Sequence, residues 1–190
     1  MNTKEQLLNQ LYQQHLNNKN SPLIVDNNSN LVFGEGNLDA SIMFVGEAPG
    51  RDEDIQKKPF IGRAGQLLNQ TLTQCGIKRE EIYITNIIKA RPTNNRTPNP
   101  EEISRCWPVL EQQIHIIKPK IIVTLGACAL TAFVKKQTSI TKQHGYAIPF
   151  EQFILVPTFH PAFILRNSNF HQPLIQDIQF VAELIKNIIK

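Results

Sequence analysis

The chain has 190 residues, enough for one sizeable α/β core and short for two, since single cores commonly stop growing near ~250 residues. A hydrophobic share of 41% beside 19% charged residues excludes a disordered chain, and no stretch approaches the ~18 apolar residues that a membrane span needs, so a soluble, cytoplasmic protein is expected. The 20 Lys+Arg against 16 Asp+Glu leave a net charge of +4, which favours a polyanionic partner only if the charge is clustered.

In chain order, Thr3 and Gln6 resemble a capping box, and Leu7, Leu8, Leu11, Tyr12 and Leu16 follow at helical spacing. This predicts an opening helix, and the Asn- and Ser-rich segment from Asn17 to Asn30 around Pro22 predicts a surface loop. Residues 1–30 are thus expected to pack as an appendage on a main domain spanning 31–190.

Four short runs rich in Ile, Val and Phe come next: Ile42 to Val45, Ile82 to Thr85, Ile121 to Leu125 and Phe153 to Val156. They alternate with helical patterns at Ala64 to Cys75, Pro100 to Ile117 and Ala127 to Val134, which predicts a central four-stranded parallel sheet with helices on both faces. Asn99, Pro100 and Glu102 mark the start of the middle helix as N-cap, first position and third position. A last amphipathic helix is expected from about Pro173 to the end.

In such sheets ligands bind beyond the carboxyl ends of the strands, and the unusual residues gather there. Gly46-Glu47-Ala48-Pro49-Gly50 follows the first strand, with Glu53 and then Pro59-Phe60-Ile61-Gly62-Arg63 beyond it. Asn86 ends the second, followed by Lys89-Ala90-Arg91-Pro92 and Asn95-Arg96. Phe159-His160-Pro161-Ala162 and Arg166 follow the fourth. Each piece has a plain structural reading: a core aromatic at Phe60, a strand-end cap at Asn86, an exposed loop imidazole at His160. His15, His115, His144 and His171 carry no such context.

Taken as an ordered set from Leu31 to Arg166, these motifs resemble those of family 4 uracil-DNA glycosylases. The resemblance implies a monofunctional enzyme that flips deoxyuridine out of DNA, hydrolyses its glycosidic bond and leaves an abasic site, the first step of base excision repair. Phe60 would stack on the base. Asn86 would read uracil N3–H and O4, with Gly46 and Ala48 beside it. His160 would donate to the charge developing on O2. Related branches carry an Asp where this chain has Ala48, so Glu47 is the leading candidate to activate water. Asn95 and Glu53 resemble further active-site positions. Glu53 is otherwise a guard against the thymine methyl, or one of a solvated acidic run with Asp52 and Asp54.

Arg63, Lys89, Arg91, Arg96 and Arg166 are candidate phosphate contacts, and Pro161 and Ala162 a rigid loop entering the minor groove. The expected partner is uracil-containing DNA, bound by a monomer without a membrane. The resemblance also implies a 4Fe-4S cluster held by four cysteines, but residues near Asn18, Ser21 and Ala90 stand at three of those positions and Cys106 alone remains. No cofactor and no metal are therefore expected, and Cys75 and Cys128 read as small core hydrophobes. Two alternatives stay open: a non-catalytic DNA-binding replication or polymerase accessory, and a glycosylase for other deaminated bases such as hypoxanthine.

Overall fold

The computed structural model describes residues 3–16, 21, 23, 29–136 and 138–189. Most of the loop expected between Asn17 and Asn30 lies outside the described residues.

The apolar runs form one sheet of six strands: β1 (Glu35–Gly36), β2 (Ile42–Gly46), β3 (Tyr83–Asn86), β4 (Ile121–Leu125), β5 (Ile148–Phe150) and β6 (Phe153–Thr158), in the order β1-β3-β2-β4-β6-β5. The central four, β3-β2-β4-β6, are parallel and coincide with the four expected from sequence. The expectation of four strands is corrected to six because β1 and β5 add antiparallel edges. At two and three residues, these edges are too short to carry a periodic signal.

Eight α-helices surround the sheet among the described residues: α1 (Lys4–Leu16), α2 (Arg51–Gln56), α3 (Arg63–Gln74), α4 (Pro100–Ile117), α5 (Gly126–Val134), α6 (Ile140–Gln143), α7 (Pro161–Ile164) and α8 (His171–Ile189). Side chains alternate across each strand, so Met43 and Val45 pack with Leu8, Leu11, Leu110 and Leu130 on one face. Ile42 and Phe44 pack with Leu68, Leu72, Leu174 and Ile178 on the other. Both faces are covered, which is why the central strands read as unbroken apolar runs. Phe44 is fully buried, and its truncation to Ala would cost about 3 to 5 kcal/mol.

The start of α4 forms as its sequence requires. Asn99 Oδ1 accepts from the Glu102 amide and Glu102 Oε2 accepts from the Asn99 amide, both at 2.8 Å, with Pro100 needing no donor partner at the first position. The helix ends at Lys118 in a left-handed conformation (φ 58°), whose amide returns to Ile114.

From β2 the chain crosses to β3 on one side, whereas from β4 it crosses to β6 on the other. The connections therefore diverge between β2 and β4, and a crevice opens at their carboxyl ends. Every loop with unusual chemistry leads into it.

Candidate active site

A cavity of about 1080 Å³ occupies this crevice, walled by Glu47, Phe60, Asn86, Cys128, Phe159 and His160 among others. The four residues expected to act together, Glu47, Phe60, Asn86 and His160, thus share one cavity although 113 positions separate the first from the last (160 − 47).

Asn86 is the last residue of β3, in register with Gly46 of β2. The amides of Ile87 and Ile88 donate to the carbonyls of Gly46 and Glu47 at 2.9 and 3.0 Å, which fixes the main chain beyond it. Its side chain is buried, yet Oδ1 has no hydrogen-bond partner among the described residues. An orphaned buried acceptor costs about 1 to 3 kcal/mol, so its retention points to a ligand donor. A Cβ at Gly46 would run into both Asn86 Oδ1 and Phe60 Cζ, so only glycine lets the amide and the aromatic ring meet there.

Phe60 lies at φ 52°, a left-handed conformation that an aromatic residue rarely adopts. Glu53 holds it there: Oε1 accepts from the amides of Ile61 and Gly62 at 3.0 and 2.8 Å, at the point where α3 begins. Glu53 is only 9% exposed, so it belongs to no solvated acidic run. The Phe60 ring sits 5.8 Å from the His160 ring, tilted by 37°, and the two form adjoining walls.

His160 caps α7, with Nδ1 accepting from the Ala162 amide at 3.1 Å. Desolvation and the nearby Arg166 charge push its pKa down to about 4, so the ring is neutral near pH 7. Gly126 opens α5 at φ +89°, and a Cβ on it would lie 2.9 Å from His160 Cβ. Beneath the loop, Thr158 Oγ1 donates to Asp177 at 2.5 Å, and the His144 ring meets the same carboxylate at 3.0 Å while packing on Phe159. His144, which carried no sequence signal, therefore braces the strand end that leads to His160.

Glu47 is half-buried. Desolvation raises its pKa, partly offset by a hydrogen bond from the Cys128 thiol. The thiol is itself pushed up to about 12 by burial and by that carboxylate. Cys128 is thus a cavity-wall residue rather than the core hydrophobe its sequence suggested.

The remaining expected residues divide. Ala48, Asn95, Arg96, Ala162 and Arg166 line the cavity. Asn95 is exposed and its Oδ1 accepts from Arg91 Nε at 2.7 Å, which places it at the rim. Arg63 and Arg166 are exposed, and Arg166 also lines the cavity. The expectations for Lys89 and Pro161 are corrected, and Arg96 has a partner within the chain. Lys89 is fully buried and cannot reach a phosphate. Arg96 is committed to both carboxylate oxygens of Glu102, at 2.8 and 2.5 Å, and so stabilises the start of α4. Pro161 is buried at the first position of α7 and shapes the loop instead of protruding from it.

A family model described as the uracil DNA glycosylase superfamily matches residues 33–180. The type-4 uracil-DNA glycosylase of Thermotoga maritima is 49% identical over 164 residues, covering 84% of this chain and 85% of its own. That of Sulfurisphaera tokodaii is 44% identical over 165 residues, or 82% and 75% of the two chains. A DNA polymerase of Bacillus phage SP01 is 34% identical over 154 residues, which are 80% of this chain but 17% of the polymerase. The chain belongs to the uracil-DNA glycosylase superfamily, in its type-4 branch.

Proposed function

We propose that the protein is a monofunctional uracil-DNA glycosylase that hydrolyses the N-glycosidic bond of deoxyuridine in DNA. The observation that carries this reading is the orphaned, buried Oδ1 of Asn86 in a cavity walled by an aromatic ring and a neutral imidazole. Uracil N3–H is the donor that this acceptor lacks, whereas cytosine N3 is itself an acceptor and would be repelled.

The chemistry follows from the walls. A flipped uracil stacks on Phe60 with its N3 edge on Asn86. As the C1′–N1 bond breaks, the electron pair leaves with the base, and His160 Nε2–H stabilises the negative charge reaching O2. Water adds to C1′ of the sugar cation and gives its proton to Glu47, a carboxylate made more basic than usual by its burial. No lysine lines the cavity among the described residues, which supports water rather than an amine as the nucleophile.

We further propose that the enzyme works without an iron-sulfur cluster. The sequence has three cysteines, and four thiolates are needed. Those three also stand apart: Cys75 at the end of α3, Cys106 within α4 and Cys128 on the cavity wall. Ala90, fully buried, pairs across a bridge with Leu31 and provides no ligand. Iron in stoichiometric amount in anaerobically purified protein would overturn this.

The phage polymerase relative favours a second reading, a non-catalytic module serving a polymerase, but that reading gives the orphaned acceptor nothing to bind. An oligonucleotide with one uracil separates the two. Alkali-labile abasic sites are expected at uracil and not at cytosine or thymine, and intact DNA after prolonged incubation would rule out the glycosylase.

A further inference from the structure

Lys89 is a lysine buried with no carboxylate partner among the described residues. It is fully inaccessible, and its Nζ donates to Thr85 Oγ1 at 2.6 Å, to the Asn86 carbonyl at 2.7 Å and to Gln113 Oε1 at 2.6 Å. These three neutral acceptors match the three donors of the ammonium form, while burial among neutral partners lowers the Lys89 pKa to about 7. The acceptors are supported in turn. Thr85 Oγ1 and Gln113 Nε2 both donate to the Phe33 carbonyl at 2.9 Å, and Gln113 reaches Tyr83 Oη at 3.4 Å. One side chain therefore joins β3 to α4 at the Asn86 carbonyl, and Thr85 and Gln113 extend the network to the Phe33 carbonyl.

We propose that Lys89, supported by Gln113, is the positioning residue for Asn86: its Nζ grips the Asn86 carbonyl and holds the side-chain amide at the angle uracil requires. The front of that peptide carries the unpartnered Oδ1, which has no hydrogen bond of its own to fix it. Packing at Gly46 and Phe60 and the course of the main chain therefore set its orientation, and the Asn86 carbonyl is where Lys89 acts. Arginine would not serve, because its planar fork cannot point three donors at one tetrahedral set of acceptors. The inference rests on the glycosylase reading and adds to it a residue that never touches the substrate.

The test is a double-mutant cycle of Lys89→Met and Asn86→Ala, read by single-turnover excision of uracil at saturating enzyme. Lys89→Met is expected to slow excision by about a hundredfold, the scale of a misplaced reactive group, while affinity for undamaged DNA stays within about twofold. Adding it to Asn86→Ala is expected to cost nothing more, because both changes remove the same orientation. A lysine that only stabilises the fold would leave the folded fraction excising at its usual rate. Losses that multiply, or a folded Lys89→Met within about threefold of the unsubstituted chain, overturn the proposal. If Lys89→Met does not fold, Gln113→Leu takes its place: slower excision with unchanged affinity for undamaged DNA is expected, and an unchanged rate overturns the proposal. A parent chain that removes no uracil would instead sink the glycosylase reading itself.

Discussion

The Ala162 amide donates to Nδ1 of His160 at 3.1 Å, and this contact fixes the tautomer of the ring. A nitrogen that accepts cannot carry the proton, so Nε2 carries it and is the donor available to the base. With the pKa down at about 4, the imidazole keeps this form throughout the working range. A neutral donor is well matched to a uracil anion, because it stabilises the charge without protonating it.

The first prediction concerns that ring. Nitrogen NMR of His160 should show one neutral tautomer from pH 8 down to about 5, and a titration midpoint near the ordinary 6.5 would contradict the structure. The sign of the linkage follows: the unfolded chain takes up the proton first, so stability is full above 6.5 and declines as pH falls toward about 4. The acid limb of the excision rate then belongs to Glu47, whose carboxyl is raised above 4.5 by burial. Glu47→Gln should abolish that limb along with most of the activity.

Asn86 should separate stability from activity. Its Oδ1 has no partner to lose, so Asn86→Ala is expected to melt no lower than the parent while excision falls on the order of a thousandfold. Asn86→Asp should fare no better, since a carboxylate cannot donate to O4 and repels it. A variant that melts lower yet still excises uracil would show that the amide serves the fold instead.

These residues also show what sequence can and cannot reveal. The four parallel strands and the α4 capping box were legible because burial on both faces and helix-end chemistry leave local signatures. The convergence of Glu47, Phe60, Asn86 and His160 was legible only through the order of their motifs, because no local pattern records which strand ends meet. Lys89 was misread because a lysine among arginines in a loop looks solvated. Its acceptors come from β3 and, 24 residues away, from Gln113, whose face of α4 gives no polar signal. His144 escaped for the same reason, since its partner Asp177 lies 33 positions later on α8.

Glu53 supplies a prediction about strain. Glu53→Ala would leave the Ile61 and Gly62 amides without their acceptor and release Phe60 from φ 52°. A stability loss of about 1 to 3 kcal/mol is expected, with weaker binding of uracil-containing DNA as the stacking wall moves. Glu53→Gln retains an acceptor oxygen and should recover most of both. If Glu53→Gln instead abolished activity at full stability, the carboxylate would have a chemical role that its contacts do not display.

The arginines can be sorted by salt. Arg63 and Arg166 are exposed near the cavity, so replacing either with Ala should weaken binding equally across DNA sequences and lower the salt slope by about 1. Arg96 differs although it also lines the cavity, because both of its terminal nitrogens are engaged by Glu102. Glu102 is nearly buried and its pKa is lowered by that guanidinium, so Arg96→Ala leaves a carboxylate without its cation at the start of α4. The expected result is a lower melting temperature and a salt slope close to the parent's. The linkage has a definite sign here too: a depressed carboxylate pKa contributes stability above the ordinary value of 4.5 that is lost as pH falls. Arg96→Ala should therefore flatten the acid side of the stability profile. A reduced salt slope with an unchanged melting temperature would return Arg96 to the phosphate contacts.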